Sequence, residues 1–254
     1  MISKNQLKLI HSLEQKKYRT QNNLFVAEGP KTVGDLMRRI QPKMIFATQE
    51  WLDRNAGGEL QIFDAATQIN CVTANELRQI SFQQHPQEVL ALFPLPAPSH
   101  ATDAKNNIIL ALDGVQDPGN LGTIIRIADW FGIDTILCST NTADAFSPKV
   151  VQATMGSIAR VNIVYCDLVQ TLTAIAADGV PVYGTLLDGS NIYSQKLTAN
   201  GVIVMGNEGN GISEQVRTLV THKLLIPSFT KSDDHAESLN VAIATAVTLS
   251  EFRR

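Results

Sequence analysis

Residues 111–132 have the sequence ALDGVQDPGNLGTIIRIADWFG, which runs from an apolar strand through a loop rich in Gly, Pro and Asp into a helix. A loop with this layout normally binds a phosphate at the helix N-terminus. Its glycines do not have the spacing of a dinucleotide fingerprint, however, and no Gly-Lys-Ser/Thr follows. Asn120 occupies a position typical of an N-cap, and Arg126 lies off the apolar face of the helix. That face has the i, i+3, i+4, i+7 spacing of residues packed on a sheet: Leu121, Ile124, Ile125 and Ala128.

Apolar strands and helical segments alternate through the whole second half of the chain. The predicted strands are IILAL before the loop and then DTILC, VNIVY, PVYGTLL, GVIVMG and KLLIP. This alternation predicts an α/β fold with a mostly parallel sheet covered by helices on both faces. Because such sheets bind ligands outside the carboxyl ends of their strands, the loops at those ends form the candidate site.

The first 93 residues predict a smaller α/β domain of their own. A helix is predicted over residues 3–18, and another begins at Pro30 in PKTVGDLMRRI, where a missing N–H has no cost. The stretch PLPAPSHATDAKNN that follows is typical of a linker, because it is rich in Pro and polar residues. We therefore predict an N-terminal domain over residues 1–93, a linker over 94–106 and a second domain over 107–254.

Charge is distributed unevenly along the chain. The formal net charge is −3, but residues 1–40 contain eight Lys and Arg against three Asp and Glu. A basic front end on an acidic protein indicates either a nucleic-acid contact or a solvated helix face. Charge by itself does not separate these two interpretations.

The composition does not indicate a secreted, membrane or metal-binding protein. Cys71, Cys138 and Cys166 are far apart and form no C-x-x-C pair, so neither a disulfide framework nor a zinc site is expected. No apolar run approaches the roughly 20 residues of a membrane span. The N-terminus lacks the pattern of a signal peptide. We expect a cytoplasmic protein without a membrane segment or a bound metal.

Two further loops at strand ends carry polar residues in unusual positions. In VIVMGNEGNGIS, Glu208 lies among glycines that include Gly206, and such a loop lets backbone approach a ligand, although a solvated turn has the same pattern. In AESLNVAIATAV, Ser238 is a candidate N-cap of a helix that is apolar nearly all round. Asn240 lies in the first turn of that helix, which is expected to be buried, so its amide requires a polar network or a site.

The combination and order of these motifs resemble the SpoU/TrmH family of RNA ribose methyltransferases, within the SPOUT class. The motifs are Asn-x5-Arg in the first loop, Gly-Asn-Glu-Gly in the second and Ile-Pro followed by Ser-Leu-Asn-Val in the third. The resemblance covers about residues 106–254. The N-terminal segments NLFVAEGPKTVGDLM and HPQEVLAL are similar to the substrate-binding module of the same family.

The resemblance implies a parallel α/β domain with a C-terminal trefoil knot, which forms the pocket for S-adenosylmethionine. It also implies a homodimer in which each active site is completed near the partner subunit, and a structured RNA substrate, most plausibly ribosomal RNA. The implied cofactor-binding residues are Thr185, Gly206, Ile226 and Leu239. The implied catalytic residues are Asn120, Arg126, Glu208, Ser238 and Asn240.

The implied reaction moves a methyl group from a sulfonium to a ribose 2′-hydroxyl, which requires alignment and management of the hydroxyl proton but no metal. A guanidinium is a poor base, so we prefer Arg126 as a clamp on the adjacent RNA phosphate that stabilises the developing alkoxide. Asn120 and Asn240 would orient the arginine and the ribose. Ser238 would hydrogen-bond within the pocket, and Glu208 would hold the loop or Asn120.

Two departures from the family pattern stand out. The third loop, PSFTKSDDHAE, is longer than usual and lacks a glycine, and Asp233, Asp234 and His235 are expected to lie in a solvated insertion beside the cofactor pocket. In the N-terminal module, Glu88 stands where a glycine is common.

Three alternatives accompany the main hypothesis. The substrate could be transfer RNA, or the chain could bind RNA without catalysis, although every motif residue needed for catalysis is present. A nucleotide-dependent oxidoreductase on an ordinary doubly wound sheet is disfavoured, because no G-x-G-x-x-G follows the first strand of the second domain.

Overall fold

The computed structural model describes residues 2–57, 66–97, 103–230, 232 and 236–254. The chain divides into two compact units. The first comprises Met1–Ala97 with Asp144–Arg160, and the second comprises Pro98–Ala143 with Val161–Arg254. The first change of unit lies within the predicted linker, and residues 144–160 group with the first unit by their contacts. The predicted domain bounds stay a prediction.

The described part of the chain forms ten strands, which alternate with helices as the apolar pattern predicts. In chain order they are β1 (Leu24–Glu28), β2 (Met44–Ala47), β3 (Gln68–Cys71), β4 (Val89–Pro94), β5 (Ile108–Leu112), β6 (Thr135–Ser139), β7 (Asn162–Cys166), β8 (Val182–Asn191), β9 (Gly201–Met205) and β10 (His222–Leu225).

The same described residues form ten α-helices. In chain order they are α1 (Lys4–Ser12), α2 (Lys16–Asn22), α3 (Pro30–Met37), α4 (Gln49–Asn55), α5 (Ala74–Ile80), α6 (Pro118–Trp130), α7 (Pro148–Ala153), α8 (Leu168–Ala177), α9 (Glu214–Arg217) and α10 (Val241–Phe252).

The first unit contains a four-stranded sheet in the order β1-β4-β2-β3. Strand β4 runs antiparallel to both β1 and β2, and β3 lies parallel to β2 at the edge. Helix α3 begins at Pro30 as predicted, and α5 is closed by a capping box in which the Thr73 side chain and Glu76 bond each other's backbone N–H groups.

The single helix predicted over residues 3–18 is wrong, because the chain forms α1 and α2 with a turn between them. The buried guanidinium of Arg19 donates to the carbonyl oxygens of Leu13 and Glu14 in that turn, each at 2.6 Å. It also pairs with Asp144 at 2.5 Å, which attaches the segment before α7 to this turn. The backbone carbonyl groups that lose their helical partners between α1 and α2 are thus satisfied by the Arg19 side chain rather than by a continuing helix.

Glu88 has a φ of 34°, in the left-handed region that costs most side chains about 1–2 kcal/mol. A glycine would adopt this conformation without that cost. Glu88 instead pairs with Arg54 of α4.

The second unit contains a six-stranded sheet in the order β10-β8-β9-β5-β6-β7, and every neighbouring pair is parallel. Central strands β5 and β9 are buried along their whole length, as expected for a parallel sheet covered on both faces. The predicted α/β fold with a separate smaller N-terminal part is confirmed. The trefoil knot stays a prediction.

The register of the pairing between β8 and β10 shifts part-way along, which leaves an unpaired segment, the excursion, within β8. Lys223 pairs with Gly184 and the next residue, Leu224, pairs with Ser190, so residues 185–189 have no partner on β10. A Cβ at Gly189 would lie 2.5 Å from the carbonyl carbon of Leu224, which no side chain can occupy. Glycine at this position therefore lets β10 return against β8 after the excursion.

None of the described helices is long and apolar enough to cross a membrane. The predicted insertion around Asp233, Asp234 and His235 lies outside the described residues.

Candidate active site

The three motif loops follow strands β5, β9 and β10, and Thr185, a predicted cofactor-binding residue, lies on β8. These four strands are contiguous in the sheet. Because they all run parallel, their carboxyl ends lie along one edge, so segments that are distant in sequence meet there.

A chain of hydrogen bonds connects the three motif loops. The Asn240 amide Nδ2 donates to Asn120 Oδ1 over 2.9 Å. The Asn120 amide Nδ2 in turn donates to Glu208 Oε1 over 3.0 Å. Three of the five predicted catalytic residues therefore form one continuous polar network across the sheet edge.

Glu208 is the acceptor at the end of this network. Beyond the Asn120 amide, its carboxylate accepts the backbone N–H of Gln116 at 3.2 Å and of Asp117 at 3.1 Å. Partial burial acts to raise the pKa of Glu208, but the hydrogen bonds from Asn120 and the backbone outweigh it and hold the pKa below its usual value. The carboxylate is thus a charged anchor for the first loop and for Asn120.

The N-caps differ from those predicted. Asp117 caps α6 and accepts the backbone N–H of Asn120 at 2.8 Å, so Asn120 lies in the first turn with its side chain available to the network. Asn240, rather than Ser238, caps α10, because its Oδ1 accepts the N–H groups of Ala242 and Ile243. The prediction that Asn240 belongs to a polar network is confirmed, although its side chain is exposed rather than buried.

Arg126 lies on the exposed face of α6 and forms no hydrogen bond or ion pair with any residue in the described part of the chain. Asn120 precedes it by six residues in the same helix. Its guanidinium is therefore free to bind an anionic group from outside the second unit.

Ser238 is also exposed, and among the described residues no hydrogen bond involves its side chain. The structure thus brings the side chains of Asn120, Glu208 and Asn240 together. Arg126 and Ser238, which are near Asn120 and Asn240 in the sequence, are exposed to solvent. The roles predicted for these two residues depend on a ligand.

Two of the four predicted cofactor-binding residues, Gly206 and Ile226, lie at the carboxyl ends of strands. Thr185 begins the excursion of β8 and its Oγ1 donates to the carbonyl oxygen of Val204 at 3.3 Å. Gly206 directly follows β9 and Ile226 directly follows β10, whereas Leu239 precedes α10 and is half exposed.

Gly206 is required by the folding of its own loop. A Cβ there would lie 2.2 Å from the carbonyl carbon of Gly211 and 2.3 Å from the Ile212 nitrogen. The loop closes on itself through Asn207, whose backbone N–H donates to the Gly211 carbonyl at 2.9 Å and whose carbonyl accepts the Gly211 N–H at 3.0 Å. No side chain of its own covers the backbone of Gly206 beside the sheet edge, which fits a ligand held largely through main-chain groups.

Two residues to which the sequence analysis assigned no role hold this loop in place: Asp113, outside the motifs, and Asn207, within the Gly-Asn-Glu-Gly motif. Buried Asp113, which directly follows β5, accepts the Ser213 backbone N–H at 2.7 Å. Asn207 donates to the Gly114 carbonyl oxygen at 2.6 Å, and its Oδ1 accepts two N–H groups within its own loop. A polar residue directly after an apolar strand is the signal that could have found Asp113.

One surface depression of about 620 Å³ lies between α8 and α9, and its lining includes Asp167 and Glu214 but none of the predicted site residues. Among the described residues, no group of three or more His, Cys, Asp or Glu is arranged to hold a metal ion.

Comparison with known proteins agrees with this geometry. Residues 107–250 match the SpoU rRNA Methylase family, and residues 4–91 match the MRM3-like substrate binding domain. The chain is 33% identical over 245 residues to the 23S rRNA (guanosine(2553)-2′-O)-methyltransferase RlmP of Bacillus subtilis, covering 95% of this chain and 93% of the relative.

Two solved structures are similar over the full length of the chain. A TrmH-family protein of Porphyromonas gingivalis superposes with a TM-score of 0.90 at 41% identity, covering 100% of this chain and 98% of the other. An AdoMet-bound rRNA methyltransferase of Sinorhizobium meliloti superposes with a TM-score of 0.85 at 30% identity, covering 100% and 96%.

Proposed function

Because the chain belongs to the SpoU rRNA methylase family, we propose that it transfers a methyl group from S-adenosylmethionine to a ribose 2′-hydroxyl of structured ribosomal RNA. The observation that carries this proposal is the hydrogen-bond chain from Asn240 through Asn120 to Glu208, which connects all three motif loops at the carboxyl edge of the sheet. The relative from Bacillus subtilis, which acts on 23S rRNA by its name, supports ribosomal RNA over transfer RNA.

The cofactor would lie along the ends of β8, β9 and β10. Thr185, Gly206, Ile226 and Leu239 would hold it, and the bare backbone at Gly206 supports this placement. When bound, S-adenosylmethionine supplies a methyl group already activated on a sulfonium. The protein therefore has to orient the acceptor ribose and control the charge that develops on its oxygen.

Arg126 would bind the RNA phosphate next to the target ribose and stabilise the developing alkoxide at O2′. This role is supported by its exposure and by the lack of a competing partner among the described residues. The Glu208 carboxylate fixes Asn120, and Asn120 and Asn240 would in turn orient the ribose and the arginine. Ser238, at the entrance to α10, would hydrogen-bond a group within the pocket.

We further propose a homodimer, and exposed apolar side chains on two neighbouring helices support it. On α6, Thr123, Arg126, Ile127 and Trp130 share one face, and Trp130 is 85% exposed. On α10, which packs on α6, Ile243 is 53% exposed. A partner subunit that covered Trp130 would lie one helical turn from Arg126, which places the partner next to the reaction.

The trefoil knot and a cytoplasmic location are also parts of the proposed function. The location is proposed because the proposed substrate and cofactor are found in the cytoplasm.

Methyl transfer from labelled S-adenosylmethionine to total RNA from a strain that lacks the protein tests the proposal. We expect the label in a 2′-O-methyl nucleoside of the ribosomal fraction. Arg126→Ala should lower the rate at least about a hundredfold, as loss of a charged group that stabilises a transition state does. Arg254→Ala removes another exposed arginine and should leave the rate unchanged.

Label in transfer RNA alone would replace the proposed substrate, and label in no RNA despite cofactor binding would contradict the enzymatic role. A near-normal rate for Arg126→Lys would contradict the bidentate phosphate clamp. For the dimer, Trp130→Asp should yield monomers in analytical ultracentrifugation, whereas the equally drastic Leu187→Asp should not.

A further inference from the structure

Two exposed aromatic side chains lie close to each other at the same sheet edge as the candidate site. Phe229 is 81% exposed and Tyr193 is 41% exposed. Their ring centroids are 6.4 Å apart and the ring planes are inclined by 30°. Single exposed apolar residues are ordinary, but two neighbouring aromatic rings that both remain open to solvent indicate a contact surface.

The register of the sheet brings the two rings together. Asn191, the last residue of β8, pairs with Leu225, the last residue of β10. Tyr193 follows the first of these by two residues and Phe229 follows the second by four. The rings therefore lie just beyond the carboxyl ends of two adjacent strands. The predicted cofactor-binding residues Gly206 and Ile226 follow strands at the same edge of the sheet.

Tyr193 is held on a rigid turn. Asn191 Oδ1 accepts the Tyr193 backbone N–H at 3.0 Å, and the Asn191 carbonyl oxygen accepts the Ser194 hydroxyl at 3.0 Å. The intervening Ile192 is fully buried and anchors the turn. The same turn packs on α10, the helix whose cap is Asn240. The turn that carries the ring is thus fixed by its own hydrogen bonds, by buried Ile192 and by its packing on α10.

We propose that Tyr193 and Phe229 form an aromatic clamp that stacks on one unpaired base of the RNA substrate, an inference that rests on the proposed function. Successive stacked rings in a nucleic-acid strand are separated by about 3.4 Å, so a ring held between two others needs about 6.8 Å. The observed separation of 6.4 Å is close to this value. The clamp accepts one planar base with a small outward movement of the exposed Phe229.

The charge near the clamp fits an RNA strand. Lys196 lies three residues after Tyr193, is exposed, and has no ion-pair partner in the described part of the chain. It is placed to contact a phosphate flanking the stacked base. Thr185 lies within β8 and Ile226 directly follows β10, whereas the two rings lie further along the chain, beyond the ends of these strands. The clamp is therefore the outer of the two proposed binding elements.

The test uses Phe229→Ala, Tyr193→Ala and the double variant in the full-length protein. Stacking of a base on an aromatic side chain contributes enough that each single variant should raise the KM for RNA roughly five- to a hundredfold. The Kd of S-adenosylmethionine, measured by calorimetry, should stay within about twofold. Tyr193→Phe keeps the ring and should retain the wild-type KM. Leu187→Ala is the matched control, because it removes a 75% exposed side chain from β8, the strand that precedes Tyr193.

The double variant provides a second criterion. Because both rings hold one base, its KM should increase by less than the product of the two single effects. A single-stranded RNA oligonucleotide that contains 2-aminopurine should lose fluorescence on binding the wild-type protein but not the double variant.

An unchanged KM for RNA in an active enzyme, an increased Kd for S-adenosylmethionine, or a change of oligomeric state in Phe229→Ala would overturn the clamp. If the wild-type protein methylates no RNA, the proposed function fails, and the fluorescence measurement then decides the clamp by itself.

Discussion

The side-chain amide of Asn240 donates to that of Asn120 over 2.9 Å, although the two residues are 120 positions apart in the chain. The contact joins the N-terminal end of α10 to the first turn of α6. At the other end of the same two helices, the Arg253 guanidinium donates to the carbonyl oxygens of Phe131 and Gly132 at 2.9 and 3.0 Å. The two helices are therefore parallel neighbours held at both ends.

The two functions of Asn240 can be separated by substitution. Asn240→Asp keeps an oxygen that caps α10 but loses the amide donor to Asn120, so the free energy of unfolding should change by less than about 0.5 kcal/mol. Methyl transfer should nevertheless fall at least tenfold, because Asn120 is no longer oriented from both sides. Asn240→Ala should lose the same activity and also about 1 kcal/mol of stability. Equal activity of Asn240→Asp and wild type in a kinetic assay would show that the hydrogen bond is not needed for the reaction.

Arg253 should contribute measurably to stability at the far end of these helices. Its positive charge lies at the C-terminus of α6, where it satisfies two carbonyl groups that lack intrahelical donors. Arg253→Met should lower the free energy of unfolding in urea by roughly 1–3 kcal/mol. The adjacent Arg254 pairs only locally with Glu251 and is largely exposed, so Arg254→Met should cost less than about 1 kcal/mol. Equal effects of the two substitutions would contradict the capping role.

Gly206 and Gly209 form a matched pair within one loop. A Cβ at Gly206 would overlap the backbone of Gly211, whereas the nearest atom to a Cβ at Gly209 is the Asn207 side-chain oxygen at 3.7 Å. Gly206→Ala should therefore destabilise the protein by roughly 1–3 kcal/mol or more and weaken cofactor binding. Gly209→Ala should leave both the melting temperature and the Kd of S-adenosylmethionine near wild type. A tolerated alanine at position 206 would show that the loop can open without loss.

Stability should depend on pH through Glu208. Its pKa in the folded protein is lowered from an ordinary value of 4.5, so the charged form is favoured by folding. The resulting stabilisation is present above the unfolded-state pKa and is lost as the pH falls through the lower folded-state pKa. The stability difference between wild type and Glu208→Gln in urea should thus be constant near neutral pH and shrink below about pH 4.5. A difference that grows on acidification would mean that the carboxylate is not held in its charged form.

Much of the architecture follows from local patterns in the sequence. Apolar runs separated by helical periodicity identify the strands of the parallel sheet, since residues buried on both faces must be apolar wherever the chain later places them. The motif residues Asn120, Glu208 and Asn240 are identified by the combination and order of the three motifs, which resemble the SpoU/TrmH family, and not by any single position. The continuous helix predicted over residues 3–18 failed because Arg19 binds backbone carbonyls in the turn, a contact that periodicity does not report.

The sequence by itself determined the fold class, the order of strands and helices along the chain and the three motif loops, because these depend on which residues avoid water and where the backbone must turn. Only the tertiary structure decided that Asp117 and Asn240 are the caps, and that the amide of Asn120 reaches Glu208. It alone paired the rings of Tyr193 and Phe229. The contacts between loops depend on which strands are neighbours in the sheet, and the caps depend on which of several nearby side chains accepts the helix N–H groups. Hydrophobic periodicity carries no information about either.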